Sequence, residues 1–119
     1  MTGARGEAIL RTEEREYSLL FTNRALAQAE RATGKGVLQL LSAGQAQALG
    51  MNDVAQLVTL GLEAARRDNR AGGRSYTMDD TWQILDELGF VAVFAAVLEA
   101  LAAVIAYSPS AERTDDPPA

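Results

Sequence analysis

Apolar residues recur along this chain with two different periods, and the change of period divides a short β segment from a run of helices. Glu7–Thr12 (EAILRT) and Arg15–Phe21 (REYSLLF) are apolar runs separated by Glu13-Glu14. In the second run Tyr17, Leu19 and Phe21 alternate with Glu16, Ser18 and Leu20, which is the period of a strand with one buried face. The pair predicts a hairpin. Two strands alone are marginal in water, so this hairpin must lie on the helices that follow it.

From Thr22 onward the spacing turns helical. Thr22-Asn23 offers a cap for a helix over Arg24–Thr33, and Gly34 stands where it would stop in the left-handed conformation. Leu26 and Ala29, with Ala25 and Ala32 beside them, give that helix a close-packing face of small residues. Val37–Ser42 crowds Val37, Leu38, Leu40 and Leu41 into about two turns. The stretch 43–50 (AGQAQALG) reads as a linker or frayed turn. Asn52-Asp53 opens the cleanest amphipathic helix, with Val54, Leu57, Val58, Gly61, Leu62 and Ala65 on one face. It closes on Arg66, Arg67 and Arg70, and Ala71-Gly72-Gly73 breaks it. Thr77 with Asp80 three residues later starts another helix, whose stripe is Met78, Trp82, Leu85 and Leu88, widened by Ile84 and stopped at Gly89.

The last periodic stretch, Phe90–Tyr107 (FVAVFAAVLEALAAVIAY), has one charge, Glu99, and neither Gly nor Pro. One seam holds Val91, Phe94, Leu98, Leu101 and Ile105. A second holds Phe90, Val93, Val97, Ala100, Val104 and Tyr107, and the rest is alanine with Glu99. A surface helix needs an apolar stripe only ~100° wide, and this one exceeds that. The surplus points to two contacts, one internal and one with a partner. Phe90, Phe94, Val97, Leu98, Leu101, Val104 and Ile105 are the candidate partner-binding residues. As a membrane span the stretch is short and lacks basic anchors, so a packed helix is expected.

These elements predict a mainly α fold: a small helical domain of four to five helices with an N-terminal β-hairpin. A flexible lead-in (1–6) precedes the domain (7–107), and the polar, Pro-ending 108–119 is expected to be disordered. Composition then narrows the chemistry. With no cysteine and no histidine, the chain has no disulfide, no thiolate or imidazole metal site and no Cys or His catalyst. No enzyme activity, cofactor or metal is expected. The net charge of −5 argues against nucleic acid, and MTGARGEA lacks the form of a signal peptide, so a soluble cytoplasmic protein is expected.

Four local features compete with the wide helix as sites. Arg66, Arg67, Arg70 and Arg74 could bind phosphate, yet a helix end with solvated charge explains them more simply. Asp79/Asp80 and Asp86/Glu87 are adjacent on helices, so neither pair converges on one atom. Gly34-Lys35-Gly36 is too short for a phosphate loop and reads as a turn. Trp82, at helical spacing, is expected in the core, and would be a candidate hot spot if exposed.

One further pattern spans Glu7–Leu62. After the hairpin come Phe21-Thr22-Asn23-Arg24-Ala25-Leu26, then Ala27, Glu30, Thr33, Gly34, Lys35 and Gly36, and later Gly61-Leu62. This order resembles the N-terminal half of the tail-assembly chaperones of long-tailed bacteriophages and gene transfer agents, some described as tail tube proteins. The resemblance implies a non-catalytic helper in the host cell cytoplasm. Such a protein would bind the tape-measure protein, with the tail tube protein as a second possible partner, and would form a homo-oligomer. The Arg/Gly stretch 66–74 and the Pro-ending tail depart from the family pattern. Two other readings compete: a structural component retained in the virion, and a small helical regulator binding nucleic acid through Arg66–Arg74.

Overall fold

A computed structural model describes residues 6–70 and 72–106. Two strands, β1 (Gly6–Arg11) and β2 (Glu16–Phe21), lead into five helices: α1 (Asn23–Thr33), α2 (Val37–Gln45), α3 (Met51–Asp68), α4 (Met78–Leu88) and α5 (Phe90–Ala106). The fold is mainly α with an N-terminal hairpin, as the periodicity predicts. The expected lead-in largely precedes the described residues, although Gly6 already belongs to β1, and the tail 108–119 lies outside them.

The strands pair antiparallel, with Gly6 opposite Phe21, Ala8 opposite Leu19 and Leu10 opposite Tyr17. Alternation along β1 turns Gly6, Ala8 and Leu10 inward, while Glu7, Ile9 and Arg11 face out. The inner face is laid across two helices, β1 against α5 and β2 against α3. Two glycines allow that approach. A Cβ on Gly6 would overlap the carbonyl of Ala100, so backbone meets backbone there. Gly61 receives the ends of Leu19 and Phe21 at 3.2 and 3.3 Å from where its Cβ would stand. Phe21 is fully buried as a result, among Leu57, Leu62, Val97 and Leu101 in one continuous core.

Local chemistry sets the corners. The Thr22 hydroxyl accepts from the Ala25 N–H at 3.1 Å and caps α1, and Gly34 ends that helix at φ 75°. The Glu30 carboxylate accepts from the Val37 N–H at 3.0 Å and joins α1 to α2. Lys35 reaches Asp53 at 2.9 Å, tying the same corner to the start of α3. Thr77 and Asp80 form the reciprocal capping box at the head of α4.

Three expectations change. α2 continues through Gln45 rather than ending near Ser42, and Gly44 lies inside it. A Cβ on Gly44 would stand 2.9 Å from the tip of Leu98, so this glycine serves the approach of α2 to α5 rather than a linker. α3 starts at Met51 with Gly50 in the cap position, not at Asn52. Trp82 is not core: it is 37% exposed, and the inner stripe of α4 is Thr81, Ile84 and Leu85 with Met78 and Leu88 at its margins. The rotation follows from Thr81, whose hydroxyl lies 2.6 Å from that of Thr59, itself bonded to the Ala55 carbonyl at 2.9 Å. A satisfied hydroxyl can occupy the centre of the α3–α4 contact, which a propensity for apolar residues alone does not anticipate.

Between α4 and α5 the chain turns by 117° at Gly89, whose φ of 87° and ψ of 151° suit glycine alone. No single helix among the described residues is long and apolar enough to cross a membrane. Substituting Gly6→Ala forces the hairpin away from α5 and is expected to cost at least ~2 kcal/mol, in the range of core overpacking. A urea-unfolding midpoint equal to that of the parent protein would contradict the packing described.

Candidate partner-binding surface on helix α5

With 100° between successive residues, the two seams of α5 cannot both face inward. Val93, Val97, Ala100 and Val104 are buried against the hairpin and α3. The other seam runs along the edge of the domain. Only its Leu101 turns fully into the core, whereas Phe94, Leu98 and Ile105 are half-buried and Val91 is 77% exposed. The outward half of α5 carries Ala92, Ala95, Ala103 and Ala106 with Glu99 as its single charge.

The seven candidate residues therefore separate. Val97, Leu101 and Val104 are core residues, 1%, 0% and 6% exposed, and have almost no surface to offer. Phe90, Phe94, Leu98 and Ile105 remain at the edge. Phe90 and Phe94 stack at 5.8 Å between ring centroids, and Leu98 rests on Gly44 of α2. Val91, absent from the candidate set, joins them as the most exposed large apolar side chain of the strip. The strip is thus Val91, Phe94, Leu98 and Ile105, at i, i+3, i+7 and i+14 on one side of the helix.

Sequence reasoning passed over an exposed leucine, Leu38 on α2, which is 67% exposed. The signal was present in the crowding of Val37, Leu38, Leu40 and Leu41 into two turns. A nine-residue helix against one core buries one side of such a cluster, and here Leu40 takes that place. Trp82 is the other aromatic candidate brought to the surface.

The arginine stretch proves to be a clamp. Arg66 donates twice to Glu63, at 3.0 and 2.6 Å, and Arg67 adds a third bond at 3.2 Å. Glu63 also accepts from the Tyr76 N–H at 2.9 Å, which draws the α3–α4 connection back onto α3. Arg74 grips both oxygens of Asp80 at 2.9 and 2.7 Å. Tyr76 meets Tyr17 edge-on at 6.4 Å, so the same connection is pinned to the hairpin. Three of the four arginines thus face carboxylates of their own chain, and the two carboxylates offset half of the positive charge a phosphate would seek.

Asp80 caps α4 and holds Arg74, while Asp79, Asp86 and Glu87 are exposed. Among the described residues no group of three metal-ligating side chains converges. Gly34-Lys35-Gly36 is the turn between α1 and α2, with Lys35 committed to Asp53.

The clamp has a signature in acid. The bonds from Arg66 and then from the Tyr76 N–H hold the Glu63 carboxyl at about 2, below its ordinary 4.5. Arg74, with the Thr77 N–H and hydroxyl, holds Asp80 at about 2, below 3.8. Both folded values lie under the unfolded ones, so the stabilisation is complete above the unfolded values and is lost as pH falls through the folded ones. Stability is expected to be level above pH 4.5 and to fall between pH 4.5 and about 2. Glu63→Gln should lower stability at neutral pH and flatten that acid limb, as read from urea midpoints across a pH series. The chain matches no protein-family profile, no curated protein sequence and no solved structure.

Proposed function

We propose that this chain is a tail-assembly chaperone that binds the tape-measure protein and keeps it soluble while the tail tube forms. The observation that carries the reading is the outward half of α5. A solvent-facing helix surface is ordinarily strewn with charge, and here 17 residues carry one, Glu99, beside a strip of Val91, Phe94, Leu98 and Ile105. Such a surface suits an apolar helix laid along it, the way amphipathic helices are recognised in grooves.

The residues that carry the family resemblance have mechanical work in this fold. Phe21 anchors the hairpin, Thr22 caps α1, Ala25 and Leu26 are buried, Glu30 joins α1 to α2 and Gly34 ends α1. A motif that specifies a corner of the fold, rather than a reacting group, suits a helper without catalysis. The rival reading through Arg66–Arg74 loses support because Glu63 and Asp80 already hold three of those arginines.

Equimolar protein is expected to keep an apolar helical fragment of a tape-measure protein in solution. Continued precipitation of the fragment would end the proposal. Mass spectrometry of purified particles should find tube and tape-measure proteins without this chain; its presence at tube stoichiometry would favour a retained structural component. Leu101→Asp, at a fully buried site, is expected to cost several kcal/mol, in the range of about 3–5 for a buried unpaired charge, and to unfold the domain. A Leu101→Asp protein with parental circular dichroism and melting would remove α5 from the core described above.

A further inference from the structure

The strip on α5 also carries information about the shape and charge of what covers it. Val91 to Ile105 is 15 residues, a rise of ~21 Å, and the strip is about one helix diameter, ~10 Å, in width. Its footprint is therefore roughly 200 Å², against ~800 Å² that each partner contributes to a standard stable interface. A second copy of this domain seated on the strip would fall well short of that area. It would also bring a second net charge of −5 against the first. A single helix buries no more than the strip offers, but it need not bring like charge, and its width matches the strip. The exposed alanines beside the strip, Ala92 and Ala95 at one end and Ala103 and Ala106 at the other, leave room for close axial approach.

Resting on the chaperone reading above, we propose that the α5 strip takes one amphipathic helix of at least four turns. Its apolar stripe faces Val91, Phe94, Leu98 and Ile105, and its polar face is basic. The apolar stripe answers a strip that contains no charge. The basic face answers the acidic balance of the whole chain. Small area and partial exposure make the complex readily reversible, which suits a partner that must later be released.

The test uses the whole chain and two synthetic helical peptides of about 18 residues, five turns, with the same Leu/Ala stripe. One carries Lys and Arg on its polar face and the other Glu. Binding is read by fluorescence anisotropy at low and moderate salt, and sedimentation equilibrium reports the state of the protein alone. The basic peptide is expected to bind one to one and at least roughly tenfold more tightly than the acidic one, the worth of a few surface charge pairs. That preference should shrink with salt. Val91→Asp, at an exposed position that leaves the fold intact by circular dichroism, should weaken the basic peptide by roughly tenfold or more.

Equal binding of the two peptides overturns the charge assignment. Binding of neither peptide, or binding unaffected by Val91→Asp, overturns the strip. A dimer that Val91→Asp dissociates makes the occupant a second copy and overturns the helix. If a tape-measure fragment still stays soluble in any of these cases, the chaperone reading survives while this inference fails.

Discussion

Everything in this domain depends on the hairpin being able to lie flush on α5. The contact between Gly6 and the Ala100 carbonyl is backbone against backbone, and no other residue at position 6 permits it. Because β1 sits that close, Ala8 and Leu10 reach the same core as Val97 and Leu101, and β2 is carried over α3 with Phe21 in the middle. A two-stranded sheet has too little surface to persist alone. It persists here because both strands exchange their inner faces for the sides of two long helices.

That arrangement explains why α5 keeps an apolar edge. The hairpin covers an arc centred on Val93, Val97, Ala100 and Val104, and α2 approaches the next arc only as far as Gly44 and Leu98. Beyond Leu98 nothing in the described chain is wide enough to cover Val91 and the flank of Phe94. Adding a charged residue there would cost the fold little, since Val91 is mostly exposed already. Val91 and the exposed alanines on that side are therefore not demanded by folding.

The charged groups act elsewhere and for a different end. The connection between α3 and α4 is long, contains Gly72-Gly73 and would carry a large entropic cost if left loose. Glu63 holds it by accepting from the Tyr76 N–H, and Asp80 holds it through Arg74, with the Tyr76 ring edge-on to Tyr17. These pairs are partly exposed and individually modest. Their joint effect is to fix the position of α4, and so the 117° turn at Gly89 from which α5 departs.

Periodicity by itself determined the order of elements, because alternation and the 3.6-residue spacing report directly which side of a backbone avoids water. It also located the caps at Thr22 and Thr77 and the stop at Gly34, where a side-chain oxygen or a left-handed φ is decided within four residues. The width of the apolar surface on α5 was legible in the same way. Which part of that surface is free was not, since Val97 and Leu98 are adjacent in sequence and nearly equal in hydrophobicity. Only the placement of the hairpin and α2 made one core and the other edge. The same is true of Gly44, whose neighbour Leu98 lies 54 positions on, and of Trp82, displaced outward by a hydroxyl pair between Thr59 and Thr81. Local bonding rules are written along the chain, whereas the division between buried and exposed is settled by which distant segment arrives to cover each face.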